Sequence, residues 1–315
     1  MANVVSITVA YQPDPDLLEQ QLRALASQVS VIVVVDNGSD NVSDWHSRIA
    51  AETGARVLRL AGNVGIAAAQ NAGIRFAQEA GASHVLLMDH DSIPEPGMVD
   101  ALLAAESRFL SKGVNVAVLG PVRIDRRTGS LSGFVRQQGA KIGWVTCAAA
   151  VDGLVEADFL IASGSLIPVA ALDVVGLMNE GYFIDHVDTE WCLRARDKGL
   201  AIVGVCAARL SHRLGDSVVR VWVGYWREVP LNSPVRNYYM FRNTVLMMRF
   251  APMPWVWRRT HVFRLLQYVV FSSIAVAPRW KRIGLMAKGV WHGLNGRTGP
   301  LTVLIDRTTT DGDAV

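Results

Sequence analysis

Residues 4–40, VVSITVAYQPDPDLLEQQLRALASQVSVIVVVDNGSD, decide the fold. Val4–Ala10 is rich in β-branched residues and lacks charge, which is the pattern of a strand buried on both faces. Leucines then recur at helical spacing between Leu17 and Leu25. Val29–Val35 is a second apolar run and predicts a second buried strand. The order strand, helix, strand predicts two parallel strands joined by a crossover helix.

The same alternation continues to Asp91. Ala55–Leu60 and Val85–Met88 have the pattern of two further strands, and the Ala-rich segment between them, Asn63–Ala80, that of a helix. We therefore predict an α/β domain with a mostly parallel sheet covered by helices on both faces. Ligands of such sheets bind beyond the carboxyl ends of the strands. Polar residues stand at those ends here: Tyr11 after the first strand, Asp36 after the second, and Asp89 to Asp91 after the fourth.

Asp89 and Asp91 form the candidate metal site. Residues two apart in a strand or tight turn point the same way, so both carboxylates can converge on one cation. Carboxylate oxygens suit Mg²⁺ or Mn²⁺, which also bind diphosphate oxygens. A pair of solvated loop acids that cap a helix would have the same sequence, but its position among the polar strand ends favours the metal. His212 follows a strand-like segment and is a candidate third ligand, although a lone His is more often structural.

Two further acidic segments are candidates for substrate contacts. Asp36 begins the sequence Asp-Asn-Gly-Ser, where it can accept a hydrogen bond from the N3–H of a pyrimidine base or form an Asx turn. Asp185, Asp188 and Glu190 follow an apolar segment at the start of a predicted helix, Thr189–Lys198. An acid at the rim of a core has a raised pKa, which suits a general base, whereas an acid in the first turn of a helix also serves as a cap. Both interpretations remain open on these residues.

The C-terminal third differs from the rest in charge. From Arg209 to Arg297 there are fifteen Lys or Arg residues and two acidic ones, and six of the nine Trp lie between Trp222 and Trp291. Basic residues flank an apolar run, Leu265–Ala277, which is too short to span a bilayer. This combination is typical of an element that lies on an anionic membrane surface. A core helix would show the same apolar run, and a nucleic-acid-binding protein would use the same basic residues.

These features predict a catalytic domain at 1–221 and a basic, aromatic, helical region at 222–315 that associates with membrane. Within the first of these regions, Val116–Phe159 has the pattern of short meandering strands. The three cysteines, Cys147, Cys192 and Cys206, show no close spacing and are expected to be reduced thiols of a cytosolic protein. The N-terminus lacks the basic region of a signal peptide and runs directly into the first strand, so we expect no signal peptide. We expect a cytoplasmic protein that binds peripherally to the inner face of the cell membrane.

The ordered motifs resemble the family 2 glycosyltransferases, whose fold is the Rossmann-like GT-A fold. The resemblance rests on VSITVAY at 5–11, VVVDNGSD at 33–40, NVGIAAAQNAG at 63–73 and LLMDHDS at 86–92. The segment from Asp185 to Arg194 is similar to the acidic catalytic segment of that family. The sequence SPVRNYY at 233–239 and the glycine-containing end, 293–299, resemble bacterial rhamnosyltransferases of the O-antigen type.

This resemblance implies an inverting transfer of L-rhamnose from dTDP-L-rhamnose to a hydroxyl of a lipid-linked or polysaccharide acceptor in cell-surface glycan synthesis. It places Tyr11, Asp36, Asn63 and Asp89 at the donor nucleotide, and Asp89, Asp91 and His212 at a Mg²⁺ or Mn²⁺ ion. The Glu-Asp pair of the family aligns with Val187-Asp188, so the Glu is missing and Asp188 takes the role of base, ahead of Asp185 and Glu190. The alternatives are another donor (a UDP-sugar or GDP-sugar), a nucleotide-binding relative without catalysis, and a nucleic-acid-binding protein; we expect no nucleic acid.

Overall fold

The four predicted N-terminal strands lie side by side in one sheet. The structure is a computed structural model that describes residues 2–40, 42–125, 129–150, 152–212, 218–222, 226–230 and 233–301. The strands of the main sheet are β1 (Val4–Ala10), β2 (Val31–Asp36), β3 (Arg56–Arg59), β4 (His84–Asp89), β5 (Ser92–Pro94), β6 (Val116–Asp125), β9 (Leu154–Glu156), β10 (Ser165–Pro168) and β11 (Ala201–His212). Two hairpins stand apart from it, β7 (Phe134–Gln138) with β8 (Lys141–Val145), and β12 (Val218–Trp222) with β13 (Trp226–Pro230).

The sheet is mixed, with a parallel half that carries the predicted motifs. Its order is β3-β2-β1-β4-β10-β6-β11-β5, with β9 paired to β11. The pairs β3–β2, β2–β1 and β1–β4 are parallel, and so is β6–β11, whereas β10 runs antiparallel to both β4 and β6. The predicted parallel core is therefore confirmed for the first ninety residues. Among the described residues of the middle segment, β6 and β9 join the main sheet, and the β7–β8 hairpin has the predicted meandering character.

Helices cover both faces of the sheet. They are α1 (Pro15–Leu25), α2 (Val42–Thr53), α3 (Ile66–Glu79), α4 (Met98–Leu110), α5 (Val169–Val175), α6 (Val187–Asp197), α7 (Pro234–Phe250), α8 (Trp255–Ala275) and α9 (Arg279–Leu294). Alternate residues of β1 pack in two different cores: Val5 and Ile7 lie in one, and Val4 and Ala10 in the other. This alternation follows from the two-residue period of a strand, and burial on both faces explains why β1 contains no charged residue.

The basic C-terminal region is helical, as predicted. Side-chain hydrogen bonds join α7 to the α/β part, from Arg242 and Asn243 to the backbone of Tyr182. None of the helices within the described ranges is both long enough and apolar enough to cross a bilayer. The terminal residues 302–315 lie outside the part of the chain that the structure describes.

The expectation of three reduced cysteines was wrong for two of them. Cys147 and Cys206 form a disulfide, with Cα atoms 5.7 Å apart, and only Cys192 is a free, buried thiol. The two partners are 59 residues apart in sequence. The short 3-10 turn after β8 brings Cys147 beside β11, a proximity that no local spacing could reveal. The cysteines therefore no longer support the cytosolic assignment.

Candidate active site

The carboxyl ends of β1, β2 and β4 surround one cavity of about 470 Å³. Because these strands are parallel neighbours, the residues that follow them meet at one edge of the sheet. The loop that precedes α6 and the start of α7 form the opposite wall. Among the predicted site residues and candidates, six line this cavity: Tyr11, Asn63, Asp89, Asp91, Asp185 and Asp188.

Asparagine side chains shape the rim beyond β2. The amide of Asn37 donates to Asn63 Oδ1 at 3.1 Å, and its own Oδ1 accepts from the Val64 N–H at 3.0 Å. These bonds hold the turn that leads into α3. Gly65 in this turn has φ +87°, and a Cβ there would lie 2.6 Å from the carbonyl oxygen of Phe183. Glycine is therefore required where the turn packs against the loop before α6.

Asp36 lies behind this rim and does not line the cavity. Its side chain is fully buried; Oδ1 accepts from the Ser39 N–H at 2.9 Å, and Oδ2 lies 3.0 Å from His46 Nε2. The carboxylate thus holds the Asx turn that the sequence Asp-Asn-Gly-Ser permits. Contact between Asp36 and a nucleobase stays a prediction, and Asn37 is the neighbour that reaches the cavity.

Asp89 and Asp91 lie together at the end of β4. The Asp89 N–H donates to Ser163 Oγ at 3.1 Å, and its carbonyl accepts from the Gln21 side chain, so its backbone is fixed. Burial raises the pKa of the Asp89 carboxyl to about 7, and the negative charges of Asp91 and Asp188 add to the effect. Each of these acids would be stabilised by a positive charge in the cavity.

The donor set fits a divalent cation only in part. Within the described residues, no three His, Cys, Asp or Glu side chains are grouped closely enough to hold a metal. Two carboxylates with strong mutual repulsion are nevertheless the hard oxygen ligands that Mg²⁺ and Mn²⁺ prefer, and such ions complete their shells with water and phosphate oxygens. The backbone of His212 pairs with Ser92, next to Asp91. The side chain of His212 lies outside the described residues, so its role as a ligand stays a prediction.

Asp188 lies in the first turn of α6 and faces the same cavity. Burial raises the pKa of its carboxyl, against hydrogen bonds from Thr189 that lower it. Its Oδ1 accepts from the Thr189 N–H at 2.7 Å, and the Ala162 backbone also hydrogen-bonds this carboxyl. Of the two other acids of the segment, Asp185 also lines the cavity but pairs there with Arg236 at 3.1 Å, and Glu190 pairs with Arg194 at 2.8 Å. The assignment of the base to Asp188 stays a prediction.

The loop 181–186 that leads to Asp188 has an unusual backbone. Three of its residues other than glycine have positive φ: Phe183 (63°), Asp185 (64°) and His186 (64°). Such conformations cost about 1–3 kcal/mol each and persist only where the surroundings enforce them. Strain of this kind collects where a structure must present a side chain in a fixed direction.

Helix α7 supplies the groups that hold this loop. Asn243 is fully buried, and its Nδ2 donates to the carbonyls of Tyr182 (2.8 Å), Ile184 (2.6 Å) and Asp185 (3.0 Å). The buried guanidinium of Arg242 donates to the Gly181 and Tyr182 carbonyls at 3.1 and 3.0 Å. Thr244 Oγ1 lies 2.9 Å from His186 Nε2. We call Arg242, Asn243 and Thr244 the α7 clamp.

Sequence reasoning missed the α7 clamp. The sequence contains two Arg-Asn pairs, at 236 and at 242. Of these two arginines, only Arg236 lines the cavity, whereas the guanidinium of Arg242 donates hydrogen bonds to backbone carbonyls. The signal that could have identified the second pair is its setting, because Arg242-Asn243-Thr244 stands amid apolar residues and buried polar groups need internal partners.

The comparisons with known proteins match the part of the chain that carries this site. The profile of Glycosyl transferase family 2 matches residues 6–131, which include β1 to β4 and the Asp89-His90-Asp91 motif. The dTDP-rhamnosyl transferase RfbF of Shigella flexneri is 30% identical over 301 residues, which are 95% of this chain and 96% of that protein. The likeness therefore extends through α7, α8 and α9 as well.

Two crystal structures share the fold at low identity. GalNAc-T7, solved with UDP, GalNAc and Mn²⁺, has a TM-score of 0.58 and 12% identity over 94% of this chain. Residues 1–349 of TarS from S. aureus have a TM-score of 0.52 and 16% identity over 95% of this chain and 83% of that one. This chain spans only about half of GalNAc-T7, 56% of its length. These matches confirm the predicted GT-A type of α/β fold.

Proposed function

The chain belongs to glycosyl transferase family 2, and from that premise we propose that it transfers L-rhamnose from dTDP-L-rhamnose to a hydroxyl of a glycan acceptor. The observation that carries the proposal is the single cavity that joins Asp89, Asp91 and Asp188. It contains what such a transfer needs, a place for a diphosphate with its cation and a carboxylate with a raised pKa. The likeness to RfbF over nearly both full lengths supports the choice of donor.

The donor would lie across the strand ends. Tyr11, Asn37 and Asn63 line the part of the cavity beyond β1 and β2, where they offer an aromatic ring and amide groups to a nucleoside. Asp89 and Asp91 would hold a Mg²⁺ or Mn²⁺ ion, which supplies charge stabilisation for the diphosphate that leaves. Arg236 also lines the cavity and adds positive charge on the side of α7.

Asp188 would act as the general base in an inverting displacement. Its carboxylate takes the proton of the acceptor hydroxyl while that oxygen forms a bond to the anomeric carbon. The bond from this carbon to the diphosphate oxygen breaks, and its electron pair leaves with the nucleoside diphosphate. The α7 clamp holds the loop before Asp188, so the carboxylate is aimed before substrate arrives.

A panel of nucleotide sugars tests the donor. The melting temperature is measured with Mn²⁺ and each of dTDP-L-rhamnose, UDP-sugars and GDP-sugars, because a ligand that binds the native state stabilises it. We expect the largest increase with dTDP-L-rhamnose, and its loss in EDTA. A larger increase with a UDP-sugar or GDP-sugar would support that donor instead, and no increase with any of them would refute the proposal.

The proposed site of action is the inner face of the cell membrane, with a lipid-linked glycan as acceptor. Support comes from α8, where five apolar side chains on one face are exposed: Val262 (48%), Phe263 (61%), Leu266 (60%), Val270 (59%) and Ile274 (69%). Their spacing of three and four residues makes them one stripe. Two exposed basic residues accompany this α8 stripe: Arg264 lies within the same stretch of α8, and Lys281 follows the end of that helix. Apolar residues flanked by positive charge favour an anionic bilayer over a neutral protein surface.

Vesicle flotation tests this membrane contact. Leu266→Asp places a charge in the α8 stripe, and Leu110→Asp places the same charge on α4 at a residue that is 51% exposed. The wild type and Leu110→Asp are expected to float with vesicles that contain phosphatidylglycerol, and high salt should release part of each. Leu266→Asp should stay in solution. Equal flotation of both variants would show that the α8 stripe does not bind membrane.

A further inference from the structure

A second cleft opens beside the catalytic cavity. Its walls are largely aromatic and apolar, with Phe134, Trp144 and Phe159 among them, and Arg123 supplies hydrogen-bond donors. Ile161 lines both this cleft and the catalytic cavity, so a thin wall separates the two. None of the residues predicted from sequence to bind the donor or the metal lines this second cleft.

The second cleft reaches the catalytic carboxylates. Ser163 in its wall accepts the hydrogen bond from the Asp89 N–H at 3.1 Å. Burial lowers the pKa of Arg123. The negative charges of Asp188 and Asp89 partly oppose this effect, so the Arg123 guanidinium interacts electrostatically with both acids. Arg123 is the one charged residue in the described lining of this cleft, among mostly apolar and aromatic side chains, and such a lining suits a neutral ligand that carries hydrogen-bonding groups.

Trp144 is the conspicuous residue of the second cleft. It lies on β8 and is 61% exposed, although a Trp ring has a large apolar surface to bury. The hairpin beneath it is held firmly. The buried Asp158 accepts from the Gln137 N–H at 2.8 Å, and the disulfide of Cys147 and Cys206 ties the end of the hairpin to β11. An exposed aromatic ring on a rigid hairpin is preorganised to bind a ligand.

We propose that this second cleft is the acceptor subsite and that it binds a neutral pyranose ring. The apolar C–H face of the sugar stacks on Trp144, while Arg123 and Ser132 donate hydrogen bonds to its hydroxyls. One hydroxyl then projects past Ile161 towards Asp188, which takes its proton as the oxygen attacks the anomeric carbon and the nucleoside diphosphate departs. The proposal rests on the proposed transferase function and adds the class and place of the acceptor.

Steady-state kinetics with short acceptors test the subsite. The probes are octyl glycosides of rhamnose, N-acetylglucosamine and galactose below their micelle concentrations, with dTDP-L-rhamnose and Mn²⁺. Trp144→Ala should raise KM for the best of these acceptors about tenfold, the scale of a lost aromatic contact. The KM for dTDP-L-rhamnose and the melting temperature should not change. Trp144→Phe should restore most of the affinity because it retains a ring.

Trp291→Ala is the matched control. Trp291 is 64% exposed, similar to Trp144, but lies on α9 and away from both cavities. Acceptor KM in this variant should equal that of wild type. The subsite is refuted if Trp144→Ala behaves like Trp291→Ala, or if it changes donor KM instead. It is also refuted if a chain that hydrolyses dTDP-L-rhamnose glycosylates none of the probes. Failure to bind or hydrolyse the donor at all would refute the proposed function itself.

Discussion

Asn243→Ala should separate the positioning of the base from the binding of the donor. Asn243 lies entirely within the protein and donates from one amide nitrogen to three carbonyls, those of Tyr182, Ile184 and Asp185. Removing the amide takes a donor from the Ile184 and Asp185 carbonyls, whereas the Tyr182 carbonyl keeps the bond from Arg242, and each unsatisfied group costs about 1–3 kcal/mol. Since an amide has only two N–H groups, we expect the free energy of unfolding to fall by about 2–4 kcal/mol.

The same change should lower kcat by about tenfold to a hundredfold, because a displacement of about 1 Å in a catalytic group has effects of that size. Without Asn243, the loop with positive φ at Phe183, Asp185 and His186 can relax, and Asp188 follows it directly. The donor contacts lie on the strand ends, so KM for dTDP-L-rhamnose should stay within about threefold of wild type. Rates and melting temperatures are measured for the same preparations.

Asn237→Ala is the control for this prediction. Asn237 is 2% exposed and lies on the same helix, yet it makes none of the hydrogen bonds to loop 181–186 that the structure describes. It should lose stability through lost packing of a buried side chain, while kcat stays within about threefold of wild type because that loss acts on the fold alone. If Asn243→Ala loses no more kcat than Asn237→Ala, the α7 clamp stabilises the fold without directing the base.

Four further outcomes follow from the structure. Asp91→Ala should abolish transfer and the effect of Mn²⁺ on donor binding, while its circular dichroism spectrum should match that of wild type. Activity retained in EDTA would contradict the metal role. The value of kcat should rise with pH through the raised pKa of Asp188, because only the ionised carboxylate accepts a proton; a pH–rate profile whose acid limb lies at the usual aspartate pKa of about 4 would contradict its burial. Replacing both Cys147 and Cys206 by Ser should lower stability by about 4 kcal/mol, the scale for closing a loop of 59 residues; an unchanged melting temperature would show that the bond does not form in solution. A chain cut after residue 250 should lose vesicle binding together with the α8 stripe, and flotation of that fragment would place the membrane contact elsewhere.

The sequence predicted the part of the fold that depends on local pattern. Val4–Ala10 is predicted and observed as a strand with identical bounds, and the predicted helix Asn63–Ala80 contains α3, Ile66–Glu79. Uncharged, apolar runs and helical periodicity are properties of neighbouring residues, so they are visible without a fold. The convergence of Asp89, Asp91 and Asp188 was predictable only because parallel strands end at one edge and because the motifs resemble a known family.

What the sequence could not show depends on distant contacts. Asn243 and Tyr182 are 61 residues apart, and Cys147 and Cys206 are 59 apart. Neither pair has a local pattern that predicts the other partner. Asp36 illustrates a different limit, since the same residues permit a ligand contact or an Asx turn, and only the fold shows its carboxylate turned towards Ser39.

Asp188→Asn tests the central claim most directly, because it preserves the shape of the side chain and removes its ability to accept a proton. The measurement is release of dTDP from dTDP-L-rhamnose with acceptor present, alongside the Kd of the donor. We expect kcat to fall by about a hundredfold or more, the usual scale for loss of a general base, with donor Kd within about threefold of wild type. Full turnover by Asp188→Asn would contradict it, as would an equal fall in kcat in Asp185→Asn with Asp188→Asn unaffected.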